Sequence, residues 1–332
     1  MDLNNLKKAL LGEPLFRLKQ AKQAVFKDLI EDWNEALVLP LALRNKLSEE
    51  CPLKVKAEIF VSDDEKTVKA KIVLADGLAI ETVLMRYPNR NTVCVSSMVG
   101  CPLKCEFCAT GKMGFKRNLS AYEIIEQVLF FNRYLKKENQ RVNSVVFMGM
   151  GEPFLNYDNV MEAIKILNDK DCFNIGARHI SISTVGIVEG IKKLSENPLQ
   201  INLAISLHAA ENVLRSKIMP INKKYPLAEV LAAVREYLAK NRRKVMFEYI
   251  MIKGINDNLE QAGKLARFLS QLDKKLFIIN LILYNPTGIF KPSMPEQIKR
   301  FKQVLQKQGI EVTERYRFGQ GIKAACGQLA GK

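Results

Sequence analysis

The sequence lacks a long hydrophobic run. None of its stretches approaches about 18 uncharged apolar residues, which a membrane-spanning helix requires. The first thirty residues also lack a continuous apolar segment ending in small residues, the pattern of a secretory leader. With 48% hydrophobic and 26% charged residues, the 332-residue chain is nevertheless able to bury a large core. We therefore expect a globular, cytoplasmic protein that is a monomer and has no membrane partner.

Acidic residues are scarce relative to basic ones. The chain has 51 Lys and Arg against 35 Asp and Glu, a formal net charge of +16, which favours a polyanionic partner. RNA, DNA and an anionic membrane would each fit this charge. Two basic blocks, residues 211–244 and 291–332, each contain nine basic and three acidic residues. Solvated helix faces are the plainer explanation, but the blocks together favour nucleic acid, and we expect them to contact phosphates. Their basic members are Arg215, Lys217, Lys223, Lys224, Arg235, Lys240, Arg242, Arg243 and Lys244 in the first block, and Lys291, Lys299, Arg300, Lys302, Lys307, Arg315, Arg317, Lys323 and Lys332 in the second.

Apolar periodicity divides the sequence into two regions. Residues 1–50 show helical spacing, and "KVKAEIF" and "KTVKAKIVLADGLAIETVLM" predict a hairpin that turns at Asp76-Gly77 and leads into Glu81. Beyond residue 90, six apolar runs alternate with amphipathic helices, one of which begins at the capping box "SAYE" of residues 120–123. This alternation is typical of a parallel sheet closed or half-closed into a (βα)6 barrel. We predict an α/β protein with a helical and hairpin accessory region over 1–90 and a catalytic barrel over 91–332.

Two histidines and seven cysteines limit the metal sites that the chain can build. The cysteines are too few and too unevenly spaced for a disulfide framework. Cys101, Cys105 and Cys108, however, fall together in "GCPLKCEFC", in the loop after the first barrel strand. Three thiolates would hold a 4Fe-4S cluster and leave one iron open to a small chelating molecule. A zinc site would need a fourth ligand, and only Cys172 and the two histidines remain downstream of the loop before the C-terminal segment. The spacing favours a cluster over zinc or packed thiols.

The three-cysteine motif is that of the radical S-adenosylmethionine (SAM) enzymes, and other segments extend the resemblance over most of the chain. The segments are "VVFMGMGEPFLN" at 145–156, "ISISTVG" at 180–186, "INLAISLHA" at 201–209, "MPINKKYPL" at 219–227, "INLILYNP" at 279–286 and "AACGQLAG" at 324–331. They resemble the RlmN family, which methylates C2 of adenosine in 23S ribosomal RNA and in transfer RNA. The resemblance implies a radical SAM barrel, a 4Fe-4S cluster on the three cysteines and two SAM molecules per turnover. It also implies an N-terminal region that binds RNA and an electron donor such as flavodoxin or ferredoxin.

The same resemblance implies roles for individual residues. The family positions that contact SAM match Gly151, Glu152, Ser183, Ser206, Leu207, His208 and Asn285. The position of Cys326 becomes an S-methylcysteine, that of Cys94 is a resolving thiol, and that of Glu81 is a proton acceptor. Without the family, the two serines would merely cap or turn the chain and His208 would be a satisfied structural histidine. The two cysteines would be small buried residues, and Glu81 would be solvated.

The reaction that the resemblance implies needs both distant cysteines. C2 of adenine is electrophilic, and so is the methyl group of SAM. A simple displacement on SAM therefore has no nucleophile. One SAM would methylate the Cys326 thiolate, and a second would be cleaved to a 5'-deoxyadenosyl radical that takes hydrogen from this methyl group. The resulting methylene would add to C2 of an unpaired adenine. Glu81 would then remove the C2 proton, and Cys94 would attack the Cys326 sulfur, leaving a transient disulfide between the two cysteines.

The chain departs from the family pattern at two places and leaves two other functions open. Met98 stands where the family has Gln, which would loosen a loop contact. Gly321-Ile322 stands where the family has Asp-Ile, which raises the question of what holds the Cys326 segment. The sister Cfr-type enzymes, which methylate C8, share the cysteines, although Pro153 in "GMGEP" favours the C2 enzyme. A non-catalytic, zinc-stapled RNA-binding module is the remaining alternative, and it would use neither Cys94 nor Cys326.

Overall fold

A mixed sheet of ten strands forms the centre of the protein in a computed structural model that describes residues 3–316, 318–319 and 321–331. The strands are β1 (Lys56–Val61), β2 (Thr67–Val73), β3 (Ala79–Tyr87), β4 (Arg90–Cys94), β5 (Met98–Gly100), β6 (Phe115–Asn118), β7 (Ser144–Phe147), β8 (Ile180–Thr184), β9 (Asn202–Ser206), β10 (Val245–Met251), β11 (Phe277–Leu283) and β12 (Val312–Glu314). The large sheet has the order β1-β2-β3-β4-β7-β8-β9-β10-β11-β12, and β5 pairs separately with β6.

The barrel part of the sheet consists of β4 and β7 to β12, which run parallel to one another. Six of these strands are the predicted apolar runs, so the predicted α/β barrel class is confirmed. The seventh, β12, was not predicted because it has three residues, two of them exposed. Parallel strands place their carboxyl ends at one edge, which is where α/β proteins bind ligands.

Helices cover the outside of the barrel strands and build the N-terminal module. They are α1 (Leu3–Ala9), α2 (Leu15–Phe26), α3 (Leu41–Glu50), α4 (Ala109–Lys112), α5 (Ala121–Lys136), α6 (Tyr157–Asn168), α7 (Val188–Ser195), α8 (Asn212–Ile218), α9 (Leu227–Asn241), α10 (Leu259–Leu269) and α11 (Pro295–Lys307). The predicted capping box at the start of α5 is present. Ser120 accepts a hydrogen bond from the Glu123 amide at 3.2 Å, and Glu123 accepts one from the Ser120 amide at 2.9 Å.

The predicted hairpin is the start of the same sheet. β1, β2 and β3 pair antiparallel in sequence order, and β3 pairs antiparallel with β4 of the barrel. The turn at Asp76-Gly77 is closed by the Asp76 side chain, which accepts a hydrogen bond from the Leu78 amide at 3.1 Å. The division of the chain at residue 90 stays a prediction, since the sheet continues across it.

A buried arginine fastens the N-terminal helical module to the barrel. Arg133 of α5 donates hydrogen bonds to the carbonyl oxygens of Ile30 at 2.6 Å and Leu53 at 2.9 Å. Within the module, the buried Trp33 donates to the Cys51 carbonyl at 2.7 Å. The apolar core runs without a break from α2 through the sheet to α11. Among the described residues, none of the helices is both long and apolar enough to cross a bilayer.

Candidate active site

A cavity at the carboxyl ends of the parallel strands gathers most of the predicted site residues. Ten of them line it: Cys94, Cys101, Cys105, Cys108, Gly151, Glu152, Ser183, Ser206, His208 and Cys326. Asn285 lines an adjacent crevice that Cys326 also reaches. Leu207 is buried beside the cavity lining, and Glu81 lies on β3 outside that lining. The fold thus brings the cysteine loop at 101–108 together with Cys94 and Cys326.

The cysteine loop is closed by the hairpin of β5 and β6. The Cys101 amide donates to the Gly114 carbonyl at 3.1 Å. Gly100 has φ +75°, and an added Cβ there would lie 1.8 Å from the Gly114 oxygen, so the turn into the loop requires glycine. Within the loop, the Cys108 amide donates to the Cys105 carbonyl at 3.1 Å. These backbone bonds hold the three thiols around the same cavity.

The chemistry of this donor set fits an iron-sulfur cluster. The pocket is apolar because Leu103 and Phe107 line it with the cysteines, and burial raises the pKa of Cys101 to about 12. Burial together with the neighbouring thiols raises the pKa of Cys105 well above its ordinary value. Buried thiols such as Cys101 and Cys105 ionise when a cationic centre compensates their charge. No group of three His, Cys, Asp or Glu within the described ranges is arranged to hold one metal ion. In a 4Fe-4S cube each thiolate binds its own iron, so the ligands need not converge on a single point.

Glu152 follows β7 and is held in place by backbone amides. It is 2% exposed, and its carboxylate accepts hydrogen bonds from the amides of Phe154 at 3.1 Å and Val185 at 2.9 Å. Burial raises its pKa to about 7, although these amides oppose the shift. Gly151, with φ +101°, packs against the buried side chain of Met98, whose Cβ would lie 2.6 Å from an added Cβ. Met98, where the family has Gln, therefore fills the space next to Gly151.

The predicted serines join a charged network that sequence reasoning did not identify. The hydroxyls of Ser183 and Ser206 are 3.3 Å apart, and Ser183 donates to the Glu248 carboxylate at 2.7 Å. The other oxygen of Glu248 accepts a hydrogen bond from Arg315 at 2.9 Å. Both Glu248 and Arg315 line the cavity. Glu248 was detectable as the one acid inside the apolar run "VMFEYIM", because a strand buried on both faces rarely contains an unpaired charge.

His208 packs against the cysteine loop through Phe107. Its Nδ1 accepts a hydrogen bond from the Ile250 amide at 3.1 Å, and its ring packs edge-on against Phe107 at 4.9 Å. Burial, reinforced by the charge of Arg215, lowers its pKa to about 3, so the ring is neutral. Its backbone has φ +61°, an unusual conformation for a residue with a side chain. Local strain of this type is concentrated at functional sites.

Cys94 and Cys326 face the same end of the cavity as Arg315. Burial and the nearby Cys326 raise the pKa of Cys94 to about 12. Burial also raises the pKa of Cys326, while the guanidinium of Arg315 lowers it. None of the seven cysteines forms a disulfide in this structure, so the transient disulfide that the resemblance implies is not seen. The two thiols are nonetheless placed on one cavity from positions 232 residues apart in the sequence.

Glu81 is buried and is bonded to the C-terminal segment. It is 2% exposed, in contrast to the solvated side chain that an isolated glutamate would predict. Lys69 pairs with one carboxylate oxygen at 2.8 Å, and the other oxygen accepts hydrogen bonds from the amides of Ala330 at 2.7 Å and Gly331 at 3.2 Å. Its position makes it an anchor for the segment that follows Cys326.

Several bonds hold the segment around Cys326 despite the departure at Gly321. The Ala324 amide donates to the Gly319 carbonyl at 2.9 Å, and the Asn285 side chain donates to the Cys326 carbonyl at 3.2 Å. Two further bonds attach the segment to α4, which directly follows the cysteine loop. They are those from the Ala109 amide to the Gly327 carbonyl at 2.7 Å and from the Thr110 hydroxyl to the Leu329 carbonyl at 2.7 Å.

The two basic blocks need one correction. Arg215 does not contact phosphate, because it is fully buried and its guanidinium is bonded inside the protein. Its acceptors are the carbonyls of Val185, Ser206, Leu207 and Tyr225 and the side chain of Asn222. Other members are ion-paired, such as the exposed Lys240 with Glu196 and the half-buried Lys302 with Glu314. Arg317 and Lys332 lie outside the described residues. For the exposed members, phosphate contact stays a prediction.

Known proteins share both the sequence and the fold of this chain. A profile of the Radical SAM superfamily matches residues 95–268. A probable dual-specificity RNA methyltransferase RlmN from Chloroflexus aurantiacus is 45% identical over 97% of this chain and 88% of its own length. A protein of the same name from Dictyoglomus turgidum is 44% identical over 99% and 94%. The crystal structure of a radical SAM methyltransferase from Sphaerobacter thermophilus superposes with a TM-score of 0.96 at 42% identity, covering 100% of this chain and 98% of that one.

Proposed function

This chain belongs to the RlmN family of radical SAM RNA methyltransferases, and we propose that it methylates C2 of adenosine in 23S ribosomal RNA and in transfer RNA through a methyl group held on Cys326. The observation that supports this most strongly is the meeting of Cys94 and Cys326 on the cavity that the cysteine loop also lines. A zinc-stapled RNA-binding module has no use for two further thiols there.

The cavity residues divide into two binding groups. Cys101, Cys105 and Cys108 would hold the 4Fe-4S cluster, and the other predicted residues at the strand ends would bind SAM: Gly151, Glu152, Ser183, Ser206, Leu207, His208 and Asn285. When bound, the cluster and two SAM molecules per turnover would supply an electron, a methyl group and the initiating radical. Glu152 offers a carboxylate to an amino group, and its two backbone amide bonds fix that carboxylate before the ligand arrives.

Cys326 accepts and presents the methyl group. Its thiolate attacks the electrophilic methyl carbon, and Arg315 assists because its charge lowers the pKa of the thiol. After the methylene carbon is joined to C2 of the adenine, the Cys94 thiolate attacks the Cys326 sulfur. The sulfur-carbon bond breaks, its electron pair remains on the carbon, and protonation there completes the new methyl group. Cys94 and Cys326 are left as a disulfide, which a two-electron thiol reductant returns to the reduced state.

Glu81 is proposed as the acceptor of the C2 proton, and the unpaired electron left on the ring would return to the oxidised cluster when that cluster is bound. Its carboxylate is engaged by Lys69 and by the amides of Ala330 and Gly331. Release of these amides would free one oxygen towards the cavity, whose lining includes Val83 on the same strand. Proton transfer by Glu81 therefore requires the end of the C-terminal segment to shift when RNA binds. An external electron donor such as flavodoxin or ferredoxin completes the proposal.

Product analysis tests the reaction. Nucleosides from 23S ribosomal RNA and from transfer RNA would be compared by mass spectrometry between cells with the gene, cells without it and cells complemented with Cys326→Ala. We expect 2-methyladenosine in both RNA classes only where the intact gene is present. Cys172→Ala is a matched control, because Cys172 is buried but lies away from the cavity. 8-Methyladenosine in place of the 2-methyl product would assign the protein to the Cfr-type reaction instead.

Adduct formation tests the separate roles of the two thiols. A Cys94→Ala protein is expected to acquire the methyl group, attack RNA and accumulate a covalent adduct through Cys326. A Cys326→Ala protein is expected to give neither adduct nor product. Denaturing electrophoresis with labelled RNA reads both outcomes. An adduct in the Cys326→Ala protein, or none in the Cys94→Ala protein during turnover, would show that the roles are misassigned.

A further inference from the structure

An exposed tyrosine is held by a stack of side chains at the edge of the site. Tyr316 packs on Phe318 with 4.7 Å between ring centroids, and Phe318 packs edge-on against Tyr87 at 4.8 Å. The guanidinium of Arg90 lies 4.4 Å from the centre of the Tyr87 ring. Phe318 is 8% exposed and closes this small cluster, but Tyr316 is 57% exposed. Packing explains the burial of Phe318 and leaves most of the Tyr316 ring facing solvent.

Tyr316 and Phe318 form one wall of the crevice that leads to Cys326. Arg315 and Asn285 belong to the same crevice, and Cys326 and Arg315 connect it with the main cavity. Tyr316 is the most exposed side chain among the aromatic residues of that wall. Its exposed ring therefore lines the same narrow crevice as Cys326, the thiol that is proposed to hold the methyl group.

A base that is methylated at C2 has to leave its stack in the RNA. Unstacking costs a few kcal/mol, and proteins that bind unpaired bases offset this by stacking them on aromatic side chains. A useful platform has to be exposed on one face and fixed before binding, since ordering a mobile ring would weaken the interaction. Tyr316 meets both conditions. Arg90, shortly after Tyr87 in the chain, and Lys323, shortly after Phe318, are both exposed. Their positive charges would attract an RNA backbone.

We propose that Tyr316 is the stacking platform for the unpaired nucleobase that is delivered to Cys326. This inference rests on the proposed function, because it identifies where the RNA substrate of that reaction is held. Phe318 and Tyr87 position the tyrosine and do not touch the base. Stacking is tolerant of base identity, so Tyr316 contributes affinity for an unpaired base, and the choice of adenine is made deeper in the site.

Binding of a synthetic stem-loop RNA with one unpaired adenine tests the proposal. Affinity would be measured by fluorescence anisotropy, and stacking by the quenching of 2-aminopurine placed at the unpaired position. We expect Tyr316→Leu, which keeps apolar packing without a π face, to weaken stem-loop binding about tenfold and to relieve the quenching. Tyr316→Phe should bind like the wild type. Tyr316→Ala should show the same loss of affinity and quenching if it folds. If it does not fold, Tyr316→Leu alone tests the proposal.

Two controls separate stacking from other effects. Phe115→Ala removes a half-exposed ring that lines neither the cavity nor the crevice, and its binding should be unchanged. A fully paired RNA of the same length should bind Tyr316→Leu as well as it binds the wild type. Unchanged stem-loop affinity and quenching in Tyr316→Leu, or an equal loss on paired RNA, would overturn the proposal. The binding assay needs neither cluster nor SAM, so a missing 2-methyladenosine product would contradict the proposed function without deciding this inference.

Discussion

Two arginines, one from each basic block, show how the partners of a guanidinium determine its role. Arg215 is fully buried, and Arg315 is half-buried. Arg215 lies in α8, the helix after β9, and donates to four backbone carbonyl oxygens and one side-chain amide oxygen, all of them neutral. Burial lowers its pKa to about 10. Arg315 follows β12 and faces a carboxylate and two thiols. Burial opposes its charge as well, but Cys326, Glu248 and Cys94 together raise its pKa above the ordinary value.

The difference lies in the partners. Neutral carbonyls hold a guanidinium in place without changing their own charge. Arg215 therefore has a structural role, because its hydrogen bonds hold together the loops after β8 and β9. Arg315, by contrast, is surrounded by a carboxylate and two thiols, which are groups that can gain or lose charge in a reaction. Buried ion pairs contribute little net stability because desolvation offsets their attraction. The pair of Glu248 and Arg315 is therefore better explained by what it does to the thiols than by the fold.

The largest effect is expected at Arg215. Arg215→Met should lower the free energy of unfolding by roughly 3 kcal/mol or more, because it leaves several buried carbonyl groups without donors. Urea unfolding followed by circular dichroism measures this change. Arg235→Met, an exposed arginine in the same block, is the matched control and should have little effect. Equal losses in the two variants would remove the structural role that distinguishes Arg215 from its neighbours.

An intermediate effect is expected at Arg315, and on reactivity more than on stability. Arg315 lowers the pKa of Cys326, so Arg315→Met should raise that pKa and reduce the thiolate fraction at a given pH. Alkylation of Cys326 by iodoacetamide in cluster-free protein should slow about tenfold, with its pH profile shifted upward. Mass spectrometry of the Cys326 peptide gives the rate, and the Cys172 peptide is an internal reference.

The carboxylate partner provides the opposite test. Glu248 raises the pKa of Cys326, so Glu248→Gln should speed the same alkylation and shift its profile to lower pH. Changes of the same sign in Arg315→Met and Glu248→Gln would indicate altered access to the thiol instead of altered charge. Arg315 would then not act on Cys326 through its charge, and the proposed contrast with Arg215 would not hold.

The smallest effects are expected among exposed members of the basic blocks. Lys240, Lys244 and Lys302 pair with glutamates, whereas Lys223 and Lys299 form no ion pair with another described residue. Replacing Lys223 and Lys299 with Gln should reduce the slope of log K against log salt by about 0.7 for each lost contact with single-stranded RNA. Replacing Lys240 and Lys244 should change the slope less. Identical slopes for wild type and both double variants would place the RNA surface elsewhere.

Sequence reasoning succeeded where the relevant residues are neighbours in the chain. The capping box at Ser120 and the apolar strands are local patterns, so propensity and spacing identify them. The three-cysteine loop is also local, and it is found at the strand end that the pattern indicates. β12 was missed because three residues carry too little periodicity.

Reasoning from sequence failed where partners are distant. Glu248 and Arg315 are 67 positions apart, and Glu81 meets the amides at 330 and 331 from almost 250 positions away. Neither pairing leaves a trace in local spacing. The prediction for Arg215 was wrong for a related reason, since a count of charges does not tell which side chain of a helix turns inward.

The hydrogen bonds from Ala109 and Thr110 to the segment after Cys326 connect two parts of the site that the proposed reaction would use in different steps. The loop that would hold the cluster and the segment that would present the methyl group share one support. Oxidative damage that unravels the loop would also release Cys326 from its place, so a protein that has lost its cluster would not keep a reactive thiol positioned for RNA. Loss of the cluster would thereby also stop methyl transfer by Cys326. A damaged molecule would be fully inactive instead of retaining one of the two steps.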